Sequence, residues 1–461
     1  MQRQLALKIL AIFVIGLSIL IPINMVKYKL YERQGYLQQA KSSVASSWTG
    51  KQLVISPVLV VPYRTNKVAS KSFYTSNGQQ LVTAPETQQQ LLLLPDTQNG
   101  EVVLSNEYLS KGIYEVPIYS GSVSFEGTFS AEKLHEELSA LGTNSQVESV
   151  GTPYLAMHIS DMRGMSKNPE LTVNNHDYSV VPGTGFSTLA SGLRSNPITE
   201  DHLGEELTFS FKVWIRGMDS LSFLSLAEEA STSLKSDWPH PEFIGNSLPD
   251  TREISSQGFS AQWLSSRYSS NGLEVLSECT QQSQCHSLLA ASSGVSFINP
   301  VDIYLQSERS IKYAVLFIGL SFITFFIFEC ITLHRIHPIQ YAFVGLAIST
   351  FYLLLISLAE HIEFHLAYLL AVGGCCSLIS FYVRYMLRSL RSSLLFSFML
   401  IGLYGLLYVI VQAEDFALLM GAVLVFFVLA ILMYVTRDID WYRLSGDQDS
   451  GHIDSDRCET V

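Results

Sequence analysis

Charge is missing from the middle of every long apolar stretch in this chain. Six such stretches occur, and their central thirds hold no Asp, Glu, Lys or Arg. A proton-coupled carrier needs ionisable groups near the membrane midplane, so this absence argues against transport. Enzyme signatures are missing as well. There is no Gly-x-Ser-x-Gly elbow, no phosphate-cradling glycine loop and no paired-cysteine zinc pattern. Residues 134–138 (Leu-His-Glu-Glu-Leu) open like a zinc-protease motif but lack the second His. No internal repeat is visible, and no motif implies a cofactor. Basic residues are the minority, with 29 Lys and Arg against 41 Asp and Glu, a net charge of −12. That balance argues against a nucleic-acid partner.

What is present is apolar length. The six stretches are residues 9–25, 313–332, 341–359, 366–383, 394–411 and 416–435. Each is at or near the ~20 residues a helix needs to cross ~30 Å of hydrocarbon. Backbone polar groups in hydrocarbon need internal partners, so these segments are expected to be helices. They are apolar nearly all round, unlike the amphipathic helices of a soluble core. The chain divides into a cytoplasmic start with a first helix (1–26), a long polar region (27–312), a five-helix bundle (313–435) and an acidic tail (436–461). The lipid bilayer is thus the first partner implied.

Orientation follows from the short loops, because Lys and Arg favour the cytoplasmic side. Arg335, with His334 and His337, follows the second stretch. Arg384, Arg388 and Arg391 follow the fourth, and Arg437 and Arg443 the sixth. The intervening loops hold Glu360 and Glu363, then Glu414 and Asp415, without Lys or Arg. The alternation places both termini in the cytoplasm and residues 27–312 outside. Lys27, Lys29 and Arg33 pull the other way, but long domains translocate largely regardless of charge. Residues 21–26 offer no small-x-small cleavage site, so the first helix reads as an uncleaved signal anchor. The tail, with Asp447, Asp449, Asp454, Asp456 and Glu459, is expected to be disordered.

The external region has a β texture. Residues 53–61 read as a strand interrupted by Pro57 at an edge or bulge. Residues 122–129 and 208–214 alternate with period two. Segments 89–94 and 102–104 flank a turn signal at 95–100, and 154–159 is a further strand. One helix is expected over 131–141 with Ser130 as N-cap and Glu132 near its positive end. Another continues the first membrane helix from Tyr28 toward Ser46, weakened by Gly35. Short strands at regular spacing predict a β-rich (α+β), sandwich-like antiparallel domain. Of six cysteines, only Cys279 and Cys285 lie in this region. Outside the cytoplasm they are a candidate disulfide. Cys330, Cys375 and Cys376 read as small apolar side chains, and Cys458 as reduced.

Candidate functional residues are few. Trp238 precedes Pro239 and His240 sits between Pro239 and Pro241, beside Asp237, either as a rigid recognition loop or as a core-filling turn. An unperturbed His near pH ~6.5 also admits a switch role for His240. Glu360, His361, Glu363 and His365 crowd one loop. His361 and His365 would share a face and suit a metal only if that turn were helical. Otherwise the loop is simply interfacial. Glu329 lies at the end of the second stretch, where a carboxylate is a functional suspect that can also reach water or Arg335. Asp161 with Arg163 reads as a surface ion pair of little worth.

Several separated segments carry a resemblance: Ser236-Asp-Trp-Pro-His-Pro-Glu-Phe-Ile-Gly245, Leu248-Pro249, Arg252-Glu-Ile254 and Gly258-Phe-Ser-Ala-Gln-Trp263. Others are His337-Pro-Ile-Gln-Tyr341, Phe351-Tyr-Leu-Leu-Leu355, Glu360-His361 and Thr436-Arg-Asp-Ile-Asp-Trp-Tyr442. Tyr31-Glu-Arg33, Asp161-Met-Arg-Gly164 and Pro182-Gly-Thr-Gly185 add to them. In this order they resemble the CreD family of bacterial inner-membrane proteins over almost the whole chain. The resemblance implies an inner-membrane protein tied to cell-envelope integrity, to a two-component system and to responses to β-lactams and colicins. It implies no catalytic residue. The expected function is non-enzymatic, with a periplasmic domain binding an envelope component or partner protein. The alternatives are an enzyme acting on an envelope lipid or glycan, and a lipid or solute transporter.

Overall fold

A computed structural model of the chain describes residues 2–65, 73–75, 78–80, 87–144, 147–199, 206–269, 271–282, 285–298, 303–332, 336–387, 390–412 and 417–437. The loop residues His334, Arg335, Arg388, Glu414, Asp415 and Arg443, the acidic tail and Cys458 lie outside these, as do the side chains of Cys330 and Arg391. Two compact units are formed. One joins Met1–Tyr36 to Val301–Val461, and the other is Leu37–Pro300.

Each of the six apolar stretches is helical over its described residues, save Tyr313, which forms a turn. The first helix is Gln2–Ser47, 46 residues with Pro22 inside. It runs through Gly35 without a break, and it contributes to both units. The others are Ala314–Thr332, Pro338–Ala359, Phe364–Leu387, Leu390–Gln412 and Ala417–Thr436. Among the described residues, four helices are by themselves long and apolar enough to cross a membrane. The count is five if Ile303–Lys312 and Ala314–Phe326, bent by 46°, form one broken span. The segment His337–Tyr341 acquires a physical meaning here. His337 caps Pro338–Ala359, its Nδ1 accepting from Ile339 N at 3.4 Å, while Gln340 Oε1 accepts from His337 N at 3.0 Å. This is a capping box with Pro at the first helical position. Gly345 lets the helices close up, since a Cβ there would overlap the Ile19 side chain and approach Phe322 at 2.9 Å.

The second unit is built on two large sheets. The nine-stranded sheet runs Val180–Pro182, Gly192–Ser195, Tyr154–Ile159, Gln52–Thr65, Ser220–Leu224, Ser293–Phe297 and Pro241–Gly245. Thr87–Leu93 and Val147–Val150 also pair with Gln52–Thr65. The eight-stranded sheet runs His176–Asp177, Glu170–Val173, Leu207–Met218, Tyr114–Phe129, Thr97–Lys111, Glu229–Ser236, Gly258–Ser266 and Thr251–Ser255. A common core takes Val54, Leu59 and Leu155 from the first and Val102, Phe125 and Phe211 from the second. The sheets are not purely antiparallel as expected. Gln52–Ile55 pairs in parallel with Leu221–Leu224, and Glu229–Ser236 with Thr97–Leu104.

The strand Gln52–Thr65 is central rather than at an edge. Its register shifts between Ile55 and Val58, at Ser56 and Pro57. Before the bulge the even position Val54 enters the inter-sheet core, and after it the odd positions Leu59 and Val61 do. Ile55, Val58 and Val60 turn to the opposite face, against Leu276, Cys279 and Leu288. A strand buried on both faces reads as an unbroken apolar run, and a bulge changes its parity without exposing it. Cys279 and Cys285 lie with their Cα atoms 4.3 Å apart and their sulfurs adjoining, joining Gly272–Gln282 to His286–Ala290 over that face. The helix Ala131–Thr143 starts as expected, with Ser130 Oγ accepting from Lys133 N. The turn expected at 95–100 is tighter, since the strand already begins at Thr97. Asp96 instead accepts from Ser130 N at 2.6 Å, near the helix N-terminus.

Candidate functional site

The Asp237–His240 turn is held from several sides within the β-rich unit. Trp238 is 6% exposed, and its ring packs on Tyr108 and Phe297. Its Nε1–H donates to His240 O at 3.1 Å and to Ile298 O at 3.0 Å. Asp237 accepts from Ser105 Oγ at 2.9 Å and Asn106 N at 2.8 Å. Trp238 and Asp237 therefore face inward and along the sheet, while the His240 ring is exposed. The geometry is that of a fixed turn. His240 contributes its backbone carbonyl to it.

Asp161–Gly164 does more than form a surface pair. Asp161 binds Arg163 through Nε at 2.9 Å and Nη2 at 2.6 Å. Arg163 in turn donates to Ser46 O at 2.8 Å and Ala45 O at 3.3 Å, the last carbonyls of Gln2–Ser47. A guanidinium there satisfies orphan carbonyls and meets the negative end of the helix dipole. That same Arg163 cation holds the Asp161 carboxyl below its ordinary range. The amide of Gln52 fills the socket behind it, donating to Asp161 O at 3.0 Å and Arg216 O at 2.9 Å. Gly164 has no room for a Cβ, which would stand 2.5 Å from Gln52 Nε2 and 2.6 Å from Arg216 O. Lys41 pairs with Asp219 at 3.3 Å, Arg216 lies over the Trp48 ring at 4.7 Å, and Val44 packs with Val116, Ile118 and Met218. The far end of the first helix is thus seated in the β-rich unit by charge, cap and apolar contact together.

The membrane-length unit holds the other end of that helix with two carboxylates. Glu329, 9% exposed, accepts from the Lys8 ammonium, from Ile336 N at 3.1 Å and from Tyr341 OH at 2.8 Å. Among the described residues its cationic partner is Lys8, while Arg335, also expected there, lies outside them. Glu360 caps Pro338–Ala359, and its side chain, 7% exposed, lies 3.3 Å from Arg33 and 3.5 Å from Tyr304 OH. Lys8 and Arg33 lie 25 residues apart, about 37 Å along a helix at ~1.5 Å per residue. Lys8 meets the start of Pro338–Ala359 and Arg33 meets its end, so the two helices run parallel. The loop after Glu360 is not helical at His361, and the next helix begins at Phe364. His361 is exposed, and His365 pairs with Glu363 at 3.3 Å. The helical face that a metal would have used is not formed, and no cluster of three metal-binding side chains occurs among the described residues.

Reading the residues one by one missed Lys8, Tyr341, Gln52 and the capping role of Arg163. A signal was present, however. Arg33, Arg163, Tyr341 and Glu360 all fall in the short segments that carried the resemblance, and Arg33 meets Glu360 directly. In the bundle, Cys375 and Cys376 are buried, and Cys375 Sγ lies 3.2 Å from Tyr404 OH, so it is hydrogen-bonded rather than merely apolar.

Membrane-length helices and a large two-sheet unit inserted after the first of them define a multi-helix integral membrane protein. Residues 4–442 match the family "Inner membrane protein CreD", and the chain belongs to that family. It is 30% identical over 448 residues to inner membrane protein CreD of Escherichia coli (strain K12), covering 96% of this chain and 95% of that one. It is accordingly an inner-membrane protein of the bacterial envelope.

Proposed function

We propose that the protein is a non-enzymatic contributor to cell-envelope integrity and the envelope-stress response. In this reading the chain crosses the membrane six times, with both termini cytoplasmic. The β-rich unit lies in the periplasm and binds an envelope component or partner protein. One observation carries the assignment. Glu329 and Glu360, the carboxylates best placed for acid–base work in the membrane-length unit, are each engaged in holding the first helix. The alternation of basic and acidic loops supports the orientation. The parallel run of Gln2–Ser47 and Pro338–Ala359 supports the number of crossings between them, since both helices cross in the same direction in this topology.

The test is alanine replacement of Asp237, His240, Glu329 and His361, scored for envelope-stress sensitivity beside the amount of folded protein. His240→Ala and His361→Ala are expected to leave sensitivity unchanged. Asp237→Ala and Glu329→Ala are expected to change it only in step with lost folded protein. Abrupt loss of function at one of these positions with folded protein at full level would point to catalysis instead.

A further inference from the structure

A small cleft lies between the two large sheets of the β-rich unit. Phe223 and Ser293 are a directly opposed pair on the nine-stranded sheet, and Thr232 and Trp263 are one on the eight-stranded sheet. With Ser225 and Asn246 they line about 100 Å3 of open space. That is room for a few water-sized groups, well below the ~300–1,000 Å3 of a drug-sized site. A ligand would therefore enter by one edge and keep the rest of itself outside. None of the residues lining the cleft is charged.

Its hydroxyls are not all satisfied. Ser225 Oγ and Thr232 Oγ1 lie 2.7 Å apart, and the two residues are 9% and 1% exposed. A hydroxyl carries one proton. Whichever of the two donates to the other, the second proton has no acceptor among the described residues. An unmet donor in so dry a place is costly, so the pair calls for an oxygen from outside. Between the hydroxyls stand aromatic walls. The Phe223 and Trp263 rings meet edge to face at 5.0 Å. Trp263 Nε1 donates to Ser247 O at 3.2 Å, so the indole offers the cleft only its carbon surface. Hydroxyls that give and take, set beside aromatic carbon and away from charge, match the alternating C–H and O–H groups of a neutral sugar. A charged ligand would be stranded there without a counterion. Water could answer the spare proton but gains nothing from the aromatic wall.

We propose that this cleft receives one edge of a neutral sugar residue. The Ser225–Thr232 pair donates its spare proton to a sugar oxygen, and Asn246, which is exposed, meets the sugar at the mouth. This rests on the reading that the β-rich unit binds an envelope component, and it makes that component a glycan.

The probes are the methyl glycosides of glucose and N-acetylglucosamine. Glucuronic acid and glucosamine are their charged counterparts, and N-acetylalanine amide is a peptide control. Binding is read by saturation-transfer NMR on the full-length chain in lipid nanodiscs, since a maltoside detergent would itself compete. The neutral glycosides are expected to bind, and the charged sugars to bind at least tenfold more weakly. Ser225→Ala with Thr232→Val removes both hydroxyls and should weaken binding of the neutral glycosides at least tenfold. Asn246→Ala, at an exposed position where the fold is not at stake, should weaken it about threefold. A wild type that binds neither neutral glycoside would overturn the proposal. So would equal binding of the charged sugars, unchanged affinity in either folded variant, or binding of the peptide control alone. The broader reading falls separately, on abrupt loss of function in the alanine variants of Asp237, His240, Glu329 or His361 with folded protein at full level.

Discussion

Lys8 and Glu329 offer the sharpest test of how the first helix is held. Lys8→Met removes one member of a pair whose side chains are 20% and 11% exposed. Removing one partner of a buried pair costs ~3–5 kcal/mol when the other is left uncompensated. Here Tyr341 OH and Ile336 N still donate to Glu329. The cost should therefore fall to about 2–3 kcal/mol, which at ~1.4 kcal/mol per decade is a 30- to 150-fold shift in the unfolding equilibrium. Glu329→Gln keeps an acceptor for Tyr341 but loses the charge, and should cost about 1–2 kcal/mol. Because both changes break the same contact, the double variant should be less destabilised than their sum by about 1–2 kcal/mol. The assay is unfolding of the full-length chain by SDS titrated into dodecyl maltoside micelles. A coupling within error of zero, with each single change harmless, would refute the clamp.

Trp238→Phe keeps the packing on Tyr108 and Phe297 but strands two carbonyls, and should lower stability by about 1–3 kcal/mol. Trp238→Ala should cost ~3–5 kcal/mol. Thermal unfolding checks the order, and loss of partner binding at full stability would instead mark a recognition loop. His158 is held below its ordinary pKa of 6.5, chiefly by burial, while its Nδ1 lies 2.7 Å from Ser191 O. The folded state resists a proton that the unfolded chain accepts, so stability is full above that ordinary value and falls as pH drops below it. Unfolding at pH ~7.5 and ~5.5 should show this loss, and His158→Gln should reduce it. Cys279 and Cys285 are six residues apart in sequence. If they are bonded in the oxidised protein, Cys285→Ser should destabilise by about 2 kcal/mol through loop closure. Thiol titration of the unreduced, denatured chain would show two extra free thiols if they are not.

Periodicity revealed the elements of this fold but not their partners. The six apolar stretches were visible because hydrocarbon demands length and uniformity. The strands around Val123 and Phe211 were visible because one face is buried and one is wet. The run 53–61 allowed an edge or a bulge at Pro57, and the strand proves central with a bulge at Ser56–Pro57, since a strand covered on both faces shows no alternation to tell the two apart. The parallel pairings escaped because register depends on residues more than a hundred positions away. The same holds for the candidate site. Glu329 stood out as a carboxylate in an apolar setting, yet its partner Lys8 lies 321 positions off. Arg163 looked like half of a local pair because its neighbour Asp161 is two residues away, while the carbonyls it caps are more than a hundred residues upstream.

The side of the membrane on which the β-rich unit lies decides the whole topology. Tyr268 is 93% exposed on that unit, and Arg437 follows the last helix. Each is replaced by cysteine in turn, and intact spheroplasts are treated with a membrane-impermeant maleimide beside the unsubstituted chain. Labelling of Tyr268→Cys in intact spheroplasts, with Arg437→Cys labelled only after lysis, is the result expected. The reverse pattern would contradict the topology and, with it, the envelope-facing role.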